Sequence, residues 1–432
     1  MQMLNLIFNL LHIGNTIQTN VISINPKIDV TLKRIEKDFS DGNFKQAVED
    51  LDKLITDNSS EALKSVKYQL LLIKANFLMQ FRKIDEFQEF VEHIEKEYKT
   101  FIDIKFKELK LTLFALTNNQ EFFELSTQVR LETPNSLSQR HVEIVFYLNG
   151  RDVEKAKELF EEEIKITQSR NKLLLIGGHI YSNLYRDDKE DISIFNNADM
   201  YYKELLETEQ ISFLDKMQIQ GFYAITLLNK NLQHKTLQDD FLFNVEDYKK
   251  SLDVVFENEA YFNPEYIKTL LENYSYILSY LGQKDTYNEF YKKYENDLSI
   301  KHYIQYCTVN EIQLDHQKIQ ESILNNTELD DLLIYMSLVL HGCAEDIDEI
   351  IKFLKANNKF IYEDSSILYH YVKAHILQDI KLESEIFKYL EYNRHRDLNI
   401  LMAYIESNLY VKNQMGVFKN LCQHRVVPKI VS

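Results

Sequence analysis

Residues 42–55, GNFKQAVEDLDKLI, have the pattern of a turn followed by an amphipathic helix. Ala47, Leu51 and Leu54 follow one another at spacings of four and three residues, which places them on one face of an α-helix. A similar phrase, GRDVEKAKELFEEEI, returns at residues 150–164. Because glycine suits the left-handed position that ends a helix, each phrase predicts a turn and the second helix of a helix–turn–helix repeat.

Glycine and proline are scarce along the whole chain, with nine Gly and four Pro in 432 residues. Strands need turns, and turns are built largely from Gly, Pro and Asn-Gly pairs. Their scarcity predicts an all-α fold with short polar connections. The chain is 45% hydrophobic and 27% charged, which supplies a core and argues against global disorder.

Similar phrases continue along the chain and predict a stack of helix pairs. Gly42 and Gly150 lie 108 residues apart, close to three units of about 34 to 36 residues. Paired helices extend to about residue 424, which predicts an α-solenoid of about ten antiparallel helix pairs. A polar connection near residue 190 offers a boundary. We therefore expect an apolar N-terminal segment at residues 1–28, N-terminal repeats at 29–190 and divergent helical repeats at 191–432.

The repeat units resemble the tetratricopeptide-repeat family. The residues that carry the resemblance are a turn glycine, an aromatic or large apolar residue and a small residue in each unit: Gly42, Phe44, Ala47, Leu51, Gly150, Ala156, Leu159 and Phe160. In the second phrase Ala156 comes one position later than the family's spacing requires. The resemblance implies a superhelix whose first helices line a concave surface that binds a partner protein or peptide.

Six polar residues that interrupt the apolar spacing of first helices are candidates for this partner-binding groove. They are Arg140, His141, Asn183, Lys216, Gln220 and Tyr223. Cations and amides at these positions suit the carboxylates or the peptide backbone of a partner.

The formal net charge of −17 argues against nucleic-acid and anionic-membrane partners, because an acidic surface repels phosphate groups. The apolar run at residues 3–13 is too short to span a bilayer, and no basic stretch precedes it. We therefore expect a cytoplasmic protein without a membrane partner. The N-terminal run is expected to pack on the helical array or on a partner, and it offers a surface for a homo-oligomer.

Cysteine and histidine give no recognisable metal site. Three cysteines are too few and too scattered for a disulfide framework. His341 with Cys343, and Cys422 with His424, each place two zinc ligands close together, whereas a zinc site needs three or four. We expect no metal and no cofactor.

No segment carries a catalytic motif, and we expect a protein that is not an enzyme. Gly177 and Gly178 form a bare pair in an apolar segment, which favours close packing between helices over a phosphate-binding loop. The acidic run at residues 161–163 predicts a hydrated helix face, because successive residues point around a helix rather than converging.

Two functions fit these observations. The first is a non-catalytic scaffold or adaptor for a partner protein or peptide. The amino-acid composition, rich in Asn, Lys and Ile, suggests a bacterial protein, which we expect to be an accessory subunit of a multi-protein system, such as a defence system. The alternative is a peptide-sensing regulator similar to bacterial pheromone receptors. Such regulators carry an N-terminal effector domain, for which about 28 residues before the first repeat are too few.

Overall fold

The computed structural model describes residues 26–60, 63–133, 137–150, 152–165, 170–187, 191–207, 211–234, 239–281, 284–326, 329–342, 347–395 and 397–411. Within these ranges the chain forms 22 α-helices and no β-strand, which confirms the predicted all-α fold. Of the predicted N-terminal segment, residues 1–25 lie outside the described ranges. A role of that segment in self-association stays a prediction.

The chain divides into two compact units, residues 1–277 and 278–432. The helices that begin in the first unit are α1 (Pro26–Ser40), α2 (Phe44–Asp57), α3 (Lys64–Gln80), α4 (Ile84–Glu97), α5 (Ile104–Leu116), α6 (Phe122–Glu132), α7 (Leu137–Asn149), α8 (Val153–Glu163), α9 (Arg170–Asp187), α10 (Ile192–Leu206), α11 (Phe213–His234), α12 (Asp239–Glu257) and α13 (Pro264–Tyr280). The division predicted near residue 190 lies within the first unit, between α9 and α10, and stays a prediction.

The helices that begin in the second unit are α14 (Lys284–Tyr294), α15 (Ile300–Asn310), α16 (His316–Asn326), α17 (Leu329–Gly342), α18 (Ile347–Ala356), α19 (Lys359–Glu363), α20 (Ser365–Leu377), α21 (Ser384–Asn393) and α22 (Leu398–Val411). Their core is aliphatic and aromatic, with Leu332, Tyr335 and Ile367 fully buried. Helix α17 contacts α15 and α20, and α20 contacts α22.

In the first unit each helix from α1 to α11 packs against the next one. Helices α5, α7, α9 and α11 also contact one another in that order. Contacts between successive helices and between alternate helices are those expected when helix pairs stack. The structure shows that consecutive helices pack against each other. Their arrangement as a superhelical solenoid stays a prediction.

The beginning of the first unit also contacts its last helices. The ring of Phe44 lies 5.9 Å from that of Phe213 and 5.4 Å from that of Phe262, measured between centroids. The Asn263 N–H donates a hydrogen bond of 2.9 Å to the carbonyl of Phe81. The turns that follow α1 and α3 therefore lie against the start of α11 and the segment before α13, although these segments are far apart in sequence.

One turn geometry ends the first helix of several pairs. Gly42 has φ of 86°, and the following Asn43 N–H donates to the carbonyl of Asp38 at 2.8 Å. Equivalent hydrogen bonds run from the backbone N–H of Lys83 to the carbonyl of Leu78, from that of Asn119 to Phe114 and from that of Asp152 to Tyr147. A bond that spans six residues around a left-handed residue is the Schellman motif, which satisfies carbonyls left open at a helix end.

The prediction that Gly150 holds the left-handed position is wrong, because its φ lies outside that region. The N–H that closes this turn belongs to Asp152, so Asp152 is the equivalent of Asn43. Ala156 lies four residues after Asp152, as Ala47 lies four residues after Asn43. The offset in the sequence therefore comes from the glycine used as the marker, and the two units have the same register.

The other repeat-defining residues are placed as the pattern predicts, with one exception. Phe44, Ala47 and Leu51 are buried, as are Ala156 and Phe160, each with at most 1% of its surface exposed. Leu159 is only partly buried.

Glu311 offers a test of the turn geometry in the second unit. It ends α15 in the left-handed conformation, with φ of 56°, and its side chain is exposed. We expect Glu311→Gly to raise the free energy of unfolding by about 0.5–1 kcal/mol, because glycine adopts this conformation without a Cβ clash. Urea denaturation followed by circular dichroism measures the change. Glu311→Ala keeps the Cβ and should not stabilise, so equal stability of the two variants would contradict the prediction.

Candidate functional site: an ionic pocket on α6 to α8

A cavity of about 280 Å³ lies between α6, α7 and α8. Two arginines, three glutamates and two aliphatic residues line it: Arg130, Arg140, Glu143, Ile144, Leu159, Glu162 and Glu163. With all five charged groups ionised, the lining carries one net negative charge. We call this cavity the ionic pocket.

Helical spacing explains why these residues converge. On α7 the lining residues begin at Arg140 and continue three and four positions later, and α8 repeats this spacing from Leu159. Residues three and four apart are neighbours on a helix surface. Helix α8 begins where the Asp152 side chain accepts a hydrogen bond of 3.1 Å from the Lys155 N–H. This cap sets the residue at which α8 begins.

Two ion pairs cross the pocket walls. Arg140 Nη1 lies 2.8 Å from Glu163 Oε2, and Arg130 Nη2 lies 2.9 Å from Glu143 Oε2. The first pair is asymmetric, since the Arg140 side chain is 48% exposed and that of Glu163 is 3% exposed. The guanidinium of Arg140 therefore has access to solvent, while the carboxylate it binds is held inside the protein.

One carboxylate oxygen of Glu163 accepts no hydrogen bond from the described residues. This atom, Oε1, is buried. A buried acceptor without a donor costs about 1–3 kcal/mol, and more when the group is charged. A ligand that brings an N–H donor to this oxygen would recover that cost. The acidic run at residues 161–163 was predicted to form a hydrated face, and for Glu163 that prediction is wrong.

Two aliphatic residues, Ile144 and Leu159, also line the pocket. Ile144 is 1% exposed and Leu159 is partly buried. Lysine and arginine bury an aliphatic stem against such surfaces while their charged heads reach a polar group. A pocket lined by both aliphatic residues and carboxylates is therefore suited to a cationic side chain. None of the seven lining residues is Ser, Cys, His or Lys, so the lining holds no nucleophile of the common kinds.

The structure brings one of the six predicted groove residues to this pocket, namely Arg140. Lys216 is exposed at a different place on the first unit. The four others are buried, with 3–7% of their surface exposed: His141, Asn183, Gln220 and Tyr223. A solvent-facing groove made from all six residues is therefore not what the structure contains.

Hydrogen bonds inside the first unit explain the burial of three of these residues. The Asn183 amide donates to the His179 carbonyl, the Gln220 Oε1 accepts from Ser251 Oγ, and the Tyr223 hydroxyl donates to Asp199. Buried polar groups are usually satisfied in this way. A partner contact through these side chains stays a prediction.

The glycine pair on α9 allows aromatic rings to approach the helix, as the sequence predicts. A Cβ added at Gly177 would lie 2.6 Å from Cζ of Phe160, and one at Gly178 would lie 2.6 Å from Cε1 of Tyr202. Gly221 on α11 repeats the arrangement, with a Cβ position 2.8 Å from Cζ of Tyr248. Sequence reasoning had not singled out this third glycine.

In the described ranges no group of three or more His, Cys, Asp or Glu residues could hold a metal ion. The structure does not describe the side chains of His341, Cys343, Cys422 and His424. The expected absence of a metal therefore stays a prediction. No helix in the described parts of the chain is both long enough and apolar enough to cross a lipid bilayer.

No protein-family model matches this chain, and no curated protein is similar to it in sequence. The chain is an all-α protein of packed helix pairs with an ionic pocket on α6 to α8.

Proposed function

We propose that the chain is a non-catalytic scaffold or adaptor that binds a partner protein or peptide. In this proposal the ionic pocket receives a lysine or arginine side chain of the partner. The supporting observation is the buried Oε1 of Glu163, an acceptor that lacks a donor among the described residues and belongs to a carboxylate that lines a partly aliphatic pocket.

The charge of the whole chain favours the same kind of partner. A formal charge of −17 attracts cationic segments and speeds their encounter, and it disfavours acidic ones. Within the proposal the protein acts in the cytoplasm as an accessory subunit of a bacterial multi-protein system, such as a defence system.

The test is selection from a phage-displayed library of random peptides on immobilised full-length protein. We expect enriched peptides to carry Lys or Arg at one fixed position. Synthetic copies should bind Glu163→Gln at least about tenfold more weakly than wild type, because a hydrogen bond to a charged group contributes about 1.5–3 kcal/mol. Gln keeps the size of the side chain, and circular dichroism confirms that the variant folds.

Glu124→Gln is the matched control, since Glu124 is an exposed residue of α6 outside the pocket lining. It removes the same charge and should leave peptide binding unchanged. Selected peptides without a fixed basic residue would contradict the proposal. So would basic peptides that bind wild type, Glu163→Gln and Glu124→Gln equally.

A further inference from the structure

Helix α22 carries an apolar stripe that no described residue covers. Leu398, Leu401 and Ile405 are 72%, 36% and 41% exposed. Their spacings of three and four residues place them on one face of the helix. The other side of α22 is packed, because Ile400 and Ala403 belong to the core of the second unit. Contiguous exposed apolar surface of this kind marks an interface.

The chain itself supplies a segment that fits this stripe. After Val411, the end of α22, the sequence continues for 21 residues. Gly416 is followed by Val417, Phe418 and Leu421, whose spacing predicts one apolar helix face. Lys419 and Gln423 fall on the opposite, polar face. A helix with one apolar and one polar face is suited to cover an exposed apolar stripe.

Charge favours the same occupant. Residues 412–432 contain no Asp or Glu and four Lys or Arg: Lys412, Lys419, Arg425 and Lys429. The chain as a whole has a formal charge of −17. A basic segment within an acidic chain is attracted to the chain's own surface.

We infer that residues 416–424 cover the apolar stripe of α22 in the same chain, packed antiparallel to it. Both helices rise equally per residue, so residues equally distant from the middle of the connection lie opposite each other. With the connection centred between residues 413 and 414, Ile405 lies opposite Cys422. The native Cys422 can therefore report the register.

The test uses the full-length chain with Cys343→Ser and Ile405→Cys, oxidised under mild conditions and mapped by mass spectrometry. We expect an intrachain disulfide between position 405 and Cys422. The control is Leu398→Cys in the same background, which is exposed on the same stripe but lies seven residues, about 10 Å, further along the helix. It should form the disulfide at least tenfold more slowly.

Three results would overturn the inference. A disulfide-linked dimer would show that a second copy of the chain covers the stripe. Equal rates at positions 405 and 398 would show that residues 416–424 do not dock in a fixed register. No disulfide at position 405, in protein whose helical content equals that of wild type, would show that the segment does not lie on α22.

Discussion

Replacing Arg82 with alanine is expected to lower the free energy of unfolding of the first unit by about 3–5 kcal/mol, the cost typical of leaving a buried charge without its compensating charge. Arg82 is 4% exposed, and its guanidinium lies 5.5 Å from the ring centroid of Tyr266. Burial lowers its pKa, while Tyr266 and Asp215 favour the charged form. Asp215 is itself buried, so alanine at position 82 would remove a compensating charge from the interior.

Chemical denaturation of wild type, Arg82→Ala, Asp215→Asn and the double variant measures this coupling. The double variant should lose about 1–3 kcal/mol less than the sum of the single losses, because the two groups share one interaction. Arg34→Ala is the matched control. Arg34 Nη2 pairs with Asp50 Oδ2 at 2.8 Å, but its side chain is 60% exposed. Such pairs contribute about 0–1 kcal/mol. Equal losses for Arg82→Ala and Arg34→Ala would contradict the prediction.

Arg82 also makes a long-range contact that local sequence patterns do not predict. It holds the position of Gly42 in the second turn, with φ of 62°, a conformation that costs a residue with a side chain about 1–2 kcal/mol. The sequence predicts short polar connections between helices, and this turn is one of them. The structure instead buries the guanidinium near Tyr266, which belongs to α13. Periodicity reports neighbours within a helix pair, and it carries no information on a contact between the second pair and the last helix of the unit.

Features that depend on one helix and its nearest neighbours were predictable. The all-α fold follows from the scarcity of turn residues, and the burial of Phe44 and Ala47 follows from their spacing. The ionic pocket was not predictable in this way, because it depends on how three helices lie together. A signal was present nonetheless, since Glu163 lies three residues after the core residue Phe160 and thus on nearly the same helix face.

The second prediction with a large expected effect is that His179 makes the folded protein less stable as the pH decreases. His179 on α9 is 1% exposed, and its Nδ1 shares a hydrogen bond of 2.9 Å with the Tyr202 hydroxyl. The ring of Phe222 stands perpendicular to the imidazole at 4.1 Å between centroids. Burial lowers the pKa of His179 to about 3. The neutral imidazole is therefore the form that the folded protein holds at neutral pH.

The direction of the pH dependence follows from this shift. In the unfolded chain His179 takes up a proton below its ordinary pKa of about 6.5, whereas in the folded protein it stays neutral until much lower pH. The unfolded state thus binds more protons between these values, and stability falls as pH decreases. The slope approaches about 1.4 kcal/mol per pH unit, so about 2 kcal/mol is lost between pH 6.5 and 5.

His179→Asn separates this contribution from those of other buried histidines, such as His375. Asparagine keeps a polar atom near the place of Nδ1 but does not titrate. We expect the variant to be less stable at pH 7, because it leaves a small cavity beside Phe222. Its stability should then depend less on pH than that of wild type, with the difference closing by about 2 kcal/mol between pH 6.5 and 5. Denaturation curves at several pH values measure this, and parallel profiles would contradict the prediction, because they would mean that folding does not lower the pKa of His179.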